Sequence, residues 1–336
     1  MTGGLPPPEP VERSRCRQAA DITVVIPARN EEGMLPLTLP TVLAAMDALP
    51  APAELVVVTP PWSPLLREPP LRDVRLRWRA VERAGKFAAL RVGVQASECD
   101  LLLMLDADVL VEERALSQLV RPLRDGSADV ASGRIAYLSA PRRPVQSTLD
   151  EWSLVSADAW DLLRTFHADL RWALPGAMYA IRRSLFPPEP LVPLVDDASI
   201  GLHALEAGAS FAYVPDAAVW TCGPASCRSW LRAKLRSRRG WAALAALRAE
   251  TVAKLETTLH AYVRTLAGQA RLGGLMLAQD RLLRLLASRS LRAGSGTSGV
   301  WEPARDEDTR WSMRVTAQRG LTYPDRRYHR TQNFDS

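Results

Sequence analysis

Three short, almost wholly apolar runs in the first third of the chain constrain its fold more than any other feature. ITVVIP (Ile22–Pro27), ELVVVTP (Glu54–Pro60) and DLLLML (Asp100–Leu105) are rich in β-branched residues or leucine and bounded by proline or acidic residues. They lack the alternation of a half-exposed strand, which marks strands buried on both faces. VRLRWRAV (Val74–Val81) alternates and reads as a further strand, as does ADVASGRIAYL (Ala128–Leu138). Helical spacing separates them: MLPLTLPTVLAAM, with Pro36 and Pro40 restricting its first turns, KFAALRVGVQA (Lys86–Ala96), and Glu113 to Leu123. Strand–helix alternation of this kind predicts an α/β fold, a mostly parallel sheet with helices on both faces. Ligands of such sheets bind beyond the carboxyl ends of the strands, which directs attention to the residues after Pro27, Val81 and Leu105.

The remaining chain divides by composition. Residues 1–20 read as a Pro-rich tail, 21–225 as the α/β catalytic domain, 226–292 as a basic helical region, and 293–336 as a polar tail. From Arg228 onward there are 21 basic and 9 acidic residues, against 22 and 28 before it, so an acidic front is joined to a basic back. That asymmetry suits phosphate or an anionic membrane surface. Leu255, Leu259, Val263, Leu266 and Leu282–Leu286 recur at helical spacing between arginines, a stripe that either packs on the catalytic domain or docks on anionic lipid. No aromatic-interleaved basic motif accompanies it, which argues against nucleic acid as a partner. The uncharged stretch Met34–Met46, 13 residues, is too short to span a bilayer, and the N-terminus lacks a secretory apolar core. Four cysteines make no disulfide framework and the four histidines are scattered, so a reducing cytoplasmic setting is expected and a zinc site is not.

Chemistry concentrates at the strand ends. In LDADVL, Asp106 and Asp108 sit two apart where a buried strand closes, a placement that suits a hard divalent cation such as Mg²⁺ or Mn²⁺ shared with substrate phosphates. The structural alternative is a turn in which one Asp caps the next helix. IPARNEE sets Arg29, Asn30 and Glu31 on the same sheet edge, directly after Pro27. In AGKFAAL, Gly85 permits a tight approach and Lys86 opens a helix, combining an ammonium with a helix N-terminus. The order strand–PARNEE, GK–helix, strand–DAD is far more specific than any one of its parts.

On these blocks the chain resembles an inverting glycosyltransferase of family 2 with a GT-A fold, from about Ile22 to Trp241. GAMYAIRRSLF (Gly176–Phe186) is similar to the family's glycine-containing segment before the acceptor loop. VDDASIGLHALEAGASFAYVPDAAVW (Val195–Trp220) is similar to its acidic-pair block. KLRSRRGW (Lys234–Trp241) is a degenerate form of its Gln-x-x-Arg-Trp motif, without the Gln and with a Gly before the Trp. The resemblance implies a nucleotide-sugar donor held through Pro27, Arg29, Asn30, Glu31, Lys86 and Asp106. It implies Mg²⁺ or Mn²⁺ on Asp106 and Asp108, Asp197 as general base, and Arg238, Arg239 and Trp241 closing over the diphosphate. The second partner would be a hydroxyl acceptor, lipid-linked or a small molecule.

One departure concerns the nucleotide. The family's second strand usually ends in an acidic pair, whereas ELVVVTPPWSP has Thr59, Pro60, Pro61 and Trp62 there. Base recognition must then come from Thr59, backbone groups or a stacking Trp62. Two rivals remain: a catalytically silent sugar-nucleotide-binding protein, and a nucleotidylyltransferase, against which this chain shows no Gly-rich phosphate loop after the first strand.

Overall fold

The computed structural model describes residues 20–83, 85–138, 144–223 and 227–269, with the side chains of 144–152, 227, 229 and 268–269 left aside. The N-terminal tail, Leu282–Leu286 and the polar tail lie outside the described residues.

Among the described residues eight strands form one sheet: β1 (Ile22–Pro27), β2 (Ala53–Thr59), β3 (Leu76–Ala80), β4 (Leu101–Leu105), β5 (Leu110–Val111), β6 (Val130–Leu138), β7 (Met178–Arg182) and β8 (Phe211–Cys222). Their spatial order is β3-β2-β1-β4-β7-β6-β8-β5. The β3-β2-β1-β4 half is parallel. The other half is mixed, because β7 runs antiparallel to both β4 and β6. The chain returns to β7 at the carboxyl end of β4, where the Asp106 amide donates to the Ala177 carbonyl at 3.0 Å. "Mostly parallel" therefore holds for the half that the apolar runs mark, and the sheet as a whole is mixed.

Among the described residues seven α-helices accompany it: α1 (Leu35–Asp47), α2 (Lys86–Gln95), α3 (Ala115–Arg124), α4 (Pro144–Phe166), α5 (Asp196–Glu206), α6 (Cys227–Leu247) and α7 (Ala249–Gln269). Successive strand residues point to opposite faces, and the core divides accordingly. Val24, Ile26, Leu103 and Leu105 pack with α1 and α3. Val25, Leu102 and Met104 pack with Phe87 and Leu90 of α2 and Ile200 of α5. Burial on both faces is why these strands are apolar at nearly every position; Thr23 and Glu54, the polar pair on β1 and β2, hydrogen-bond each other at 3.2 Å.

The C-terminal helices close a third cluster, in which Leu244, Val252 and Leu255 pack on Leu163, Trp172, Val195 and Leu202, with Leu259 against it. Within the described part of the stripe, Leu255 and Leu259 are thus committed to the core, while Val263 and Leu266 are half-buried. No helix among the described residues is long and apolar enough to cross a membrane.

Two close approaches fix the elements around the strand ends. On β6, Gly133 sits where the register with β8 shifts, and a side chain there would come within 2.5 Å of the Ala217 carbonyl oxygen. On α5, a Cβ at position 201 would lie 1.8 Å from the Trp172 carbonyl oxygen, so Gly201 lets α5 seat on the backbone preceding β7. Gly201→Ala is expected to destabilise the protein by about 1–3 kcal/mol or more, the usual cost of overpacking. Thermal unfolding of the purified variant measures it, and an unchanged melting temperature would show that α5 is seated otherwise.

Candidate active site

Thr38 of α1, fully buried, donates to the Ala107 carbonyl at 2.8 Å and holds the Asp-Ala-Asp turn against the helix. Asp106 emerges from this turn half-buried, while Asp108 is 7% exposed. Across from them, α2 begins at Gly85, whose φ of +122° is open to glycine but strained for other residues. Lys86, first in the helix, extends its ammonium to Asp106 Oδ1 at 2.7 Å and to the Gly176 carbonyl at 3.0 Å. A Cβ at Gly176 would stand 2.9 Å from Asp197 Oδ2 and 3.4 Å from Lys86 Nζ. Glycine there lets the carboxylate of α5 and the ammonium of α2 meet across the chain entering β7.

Three buried carboxylates, Asp106, Asp196 and Asp197, gather around the Lys86 ammonium, and burial sets their protonation. Desolvation pushes Asp106, Asp196 and Asp197 above the ordinary carboxylate value, and the Lys86 charge opposes that rise at all three. Asp108 raises Asp106 further, as Asp106 does Asp197. Burial disfavours the Lys86 ammonium, yet Asp106, Asp196 and Asp197 together outweigh it and leave Lys86 above its usual value. Asp197 Oδ1 accepts the Ala198 amide at 2.9 Å, whereas Asp196 Oδ2 is buried without a hydrogen-bond partner.

Two cavities meet here. One is an apolar cleft lined by Pro27, Arg29, Pro60, Trp62 and Glu82, among others, with Trp62 65% exposed at its wall. The other, about 350 Å³, contains Asp196, Asp197, Arg134, Asp161, Arg164 and Arg236 in its lining. Lys86 and Asp106 are the two residues common to both. A smaller chamber of about 90 Å³ between α4, α6 and α7 shares Trp160, Lys234 and Trp241 with the second cavity.

Several residues singled out in the sequence stand elsewhere. Thr59 is fully buried and donates to the Pro60 carbonyl at 3.2 Å, so Pro60 and Trp62, not Thr59, line the cleft. Glu31 is 1% exposed, its carbonyl accepts the Met34 and Leu35 amides at the start of α1, and neither it nor Asn30, at φ +57°, lines either cavity. Arg238 turns into the small chamber, 3.8 Å from Glu256 of α7. The Arg239 Nε is buried without a partner, and Arg239 lies outside the three cavity linings. Arg236 is the α6 arginine that faces Asp196. Trp241 packs 6.1 Å, centroid to centroid, from both Trp160 and Trp172, which makes it as much a wall of the core as of the cavity. Gly240, which breaks the expected Arg-Trp spacing, is the residue that lets α6 approach: a Cβ there would be 2.6 Å from Val195 Cγ1.

Among the described residues no group of three or more His, Cys, Asp or Glu is placed to hold a metal ion. Asp106 and Asp108 offer hard oxygen donors from one turn, which fits Mg²⁺ or Mn²⁺ only when phosphate oxygens and water complete the shell.

A model of the family described as "Glycosyltransferase like family 2" matches residues 19–242. Over 255 residues the chain is 24% identical to the probable glycosyltransferase YdaM of Bacillus subtilis (strain 168), covering 69% of this chain and 57% of that protein. Over 137 residues it is 30% identical to glycosyltransferase AglD of Haloferax volcanii, covering 37% and 22%. The chain thus spans little more than half of the first relative and less of the second. Two solved structures are similar, each at TM-score 0.47: mannosyltransferase PcManGT from Pyrobaculum calidifontis with GDP-Man and Mn²⁺, and S. aureus TarS 1-349 with UDP-GlcNAc. Identities are 19% and 15%; coverage is 90% of this chain and 86% of the first structure, 83% and 95% for the second.

The raised value of Asp196 fixes a sign for stability. The unfolded chain loses that proton near 3.8 while the fold retains it, so stability falls as pH rises through the interval above 3.8. Asp196→Asn removes this penalty. Its melting temperature is expected to exceed wild type at pH 7, with the difference shrinking as pH falls toward 4. A constant difference across that range would contradict the assignment.

Proposed function

The chain belongs to the family 2-like glycosyltransferases, and on that premise we propose that it moves a sugar from a nucleoside diphosphate to a hydroxyl acceptor with inversion at the anomeric carbon. One observation carries this reading: Lys86 and Asp106 stand at the junction between an apolar cleft and the cavity that contains Asp197. A nucleotide sugar has the matching sequence of parts, a flat base, a diphosphate and a polar sugar. The base lies in the cleft against Trp62, the diphosphate meets the Lys86 ammonium and the N-terminus of α2, and the sugar enters the larger cavity.

In the reaction Asp197 takes the proton of the acceptor hydroxyl as its oxygen forms a bond to the anomeric carbon. The bond from that carbon to the diphosphate oxygen breaks, and the electron pair leaves with the nucleoside diphosphate. Because attack and departure are on opposite sides, a single displacement inverts the centre. Lys86, freed in part from Asp106, and Arg236 stabilise the charge that accumulates on the leaving group. Mg²⁺ or Mn²⁺ held by Asp106 and Asp108 would supply further neutralisation of that charge. Burial that lifts Asp197 above the ordinary carboxylate value makes it a stronger base than an exposed aspartate, with the acid limb of the pH–rate profile displaced upward accordingly.

Asp197→Asn is expected to lower transfer by roughly 10²- to 10⁴-fold, the worth of a positioned general base, while donor binding persists. Asp106→Ala is expected to weaken donor binding itself. Release of nucleoside diphosphate from UDP-, GDP- and dTDP-sugars, with thermal shift on the same donors with and without Mn²⁺, separates the two effects. Wild-type turnover by the Asp197→Asn variant would remove the base assignment. Donor binding without turnover in the wild type would leave a sugar-nucleotide-binding protein.

A further inference from the structure

Arg164 of α4 is a charged group that the transfer chemistry leaves unused. It is 6% exposed, sits 4.8 Å over the Trp160 ring, and directs Nε and Nη2 to the Ala173 carbonyl at 3.2 and 2.9 Å. Those two bonds use one edge of the guanidinium and bring no counter-charge; burial holds the group below the ordinary guanidinium value, outweighing the fields of Asp197 and Asp161, which reach it without contact. Among the described residues, no carboxylate lies within ion-pairing distance of it. The obvious counter-ion, Asp161, is already engaged: its Oδ1 accepts the Tyr213 hydroxyl and faces Arg134 Nε at 3.9 Å. Arg164 nevertheless lines the same 350 Å³ cavity as Asp197 and does not line the nucleotide cleft.

A neutral side chain would serve the Ala173 carbonyl as well. Retaining a permanent charge in a desolvated wall is costly unless an anion completes it. The donor's diphosphate is the wrong anion, since its place is the junction of the two cavities. We propose that the acceptor is itself anionic, a hydroxy compound carrying a phosphate ester or carboxylate, and that Arg164 binds this charged group while Asp197 receives the hydroxyl proton. The proposal rests on the glycosyltransfer reading and names the acceptor class for that site. Arg164 is then the residue that selects charged over neutral alcohols, with Nη1, which donates to no described protein group, as the donor.

Calorimetric titration of the full-length protein tests it with three small probes: glycerol 3-phosphate, glycerate and glycerol. Each is titrated without nucleotide and again with saturating UDP or GDP and Mg²⁺. The expected result is binding of one or both anions, little or none of glycerol, and retention of the anion when nucleotide is bound. The phosphate and carboxylate probes distinguish the two sources of charge. Arg164→Gln, which keeps a donor for Ala173, is expected to lose roughly 10- to 100-fold in anion affinity, the worth of one charge-assisted hydrogen bond. Nucleotide binding by the variant serves as the check that it is folded. If the variant does not fold, competition in the wild type decides. Anions displaced by UDP or GDP belong to the diphosphate position, and that outcome overturns the proposal, as does equal binding of glycerol or no anion binding at all. Failure of the glycosyltransfer reading is distinct, appearing as no binding of nucleotide with or without Mg²⁺.

Discussion

The site is organised by a single ammonium. Lys86 reaches Asp106 at 2.7 Å and the Gly176 carbonyl at 3.0 Å, and its field also acts on Asp196 and Asp197. Each of those acids is desolvated, and without the lysine each would be driven further toward the neutral form. The arrangement demands small residues at close range: Gly85 to start α2, Gly176 between the lysine and Asp197, and Gly240 so that α6 can lie on the segment preceding α5. It also demands that the strands deliver their ends together, which parallel pairing of β1, β2 and β4 accomplishes. On the glycosyltransfer reading, a diphosphate that engages Lys86 would rearrange these charges by loosening it from Asp106.

What could be read from the sequence follows from how directly each feature is encoded. Strands buried on both faces declare themselves, because nearly every residue of β1, β2 and β4 is apolar, and the exceptions, Thr23, Glu54 and Thr59, are buried with hydrogen bonds. The residues that follow them, Lys86 and Asp106, were locatable by the rule that ligands gather at the carboxyl ends of parallel strands. The antiparallel sense of β7 was not, since MYAIR is as apolar as a parallel strand and nothing local records its direction.

Helix phase hid the rest. Arg236, Arg238 and Arg239 are near neighbours in sequence, but at about 100° per residue the first two point to nearly opposite sides of α6. Only the packing of α6 against α4 and α7 decides which one faces Asp196. Arg164 was invisible for a similar reason. An arginine in a helix reads as solvated until the partners that bury it, Trp160 from one turn earlier and Ala173 from the following loop, are in place. Thr59 is hidden for the opposite reason: it lies at a strand end, but the backbone is still inside the core there, and the two prolines that follow carry the chain to the surface.

The cleft and the cavity divide recognition unequally. The cleft offers proline, alanine and valine surfaces and an exposed tryptophan, with no carboxylate at the end of β2. Stacking of a base on an aromatic ring is strong but tolerant, because every base presents a π-face. The cavity is built differently, from buried charges whose partners are few and fixed. A site of that kind rejects a ligand lacking the complementary group far more sharply than an apolar surface rejects one of slightly different shape, because the unmatched protein charge is left desolvated. On the glycosyltransfer reading, selectivity therefore resides on the acceptor side of Lys86, in the spacing between Asp197 and Arg164, and the nucleotide end contributes affinity more than choice.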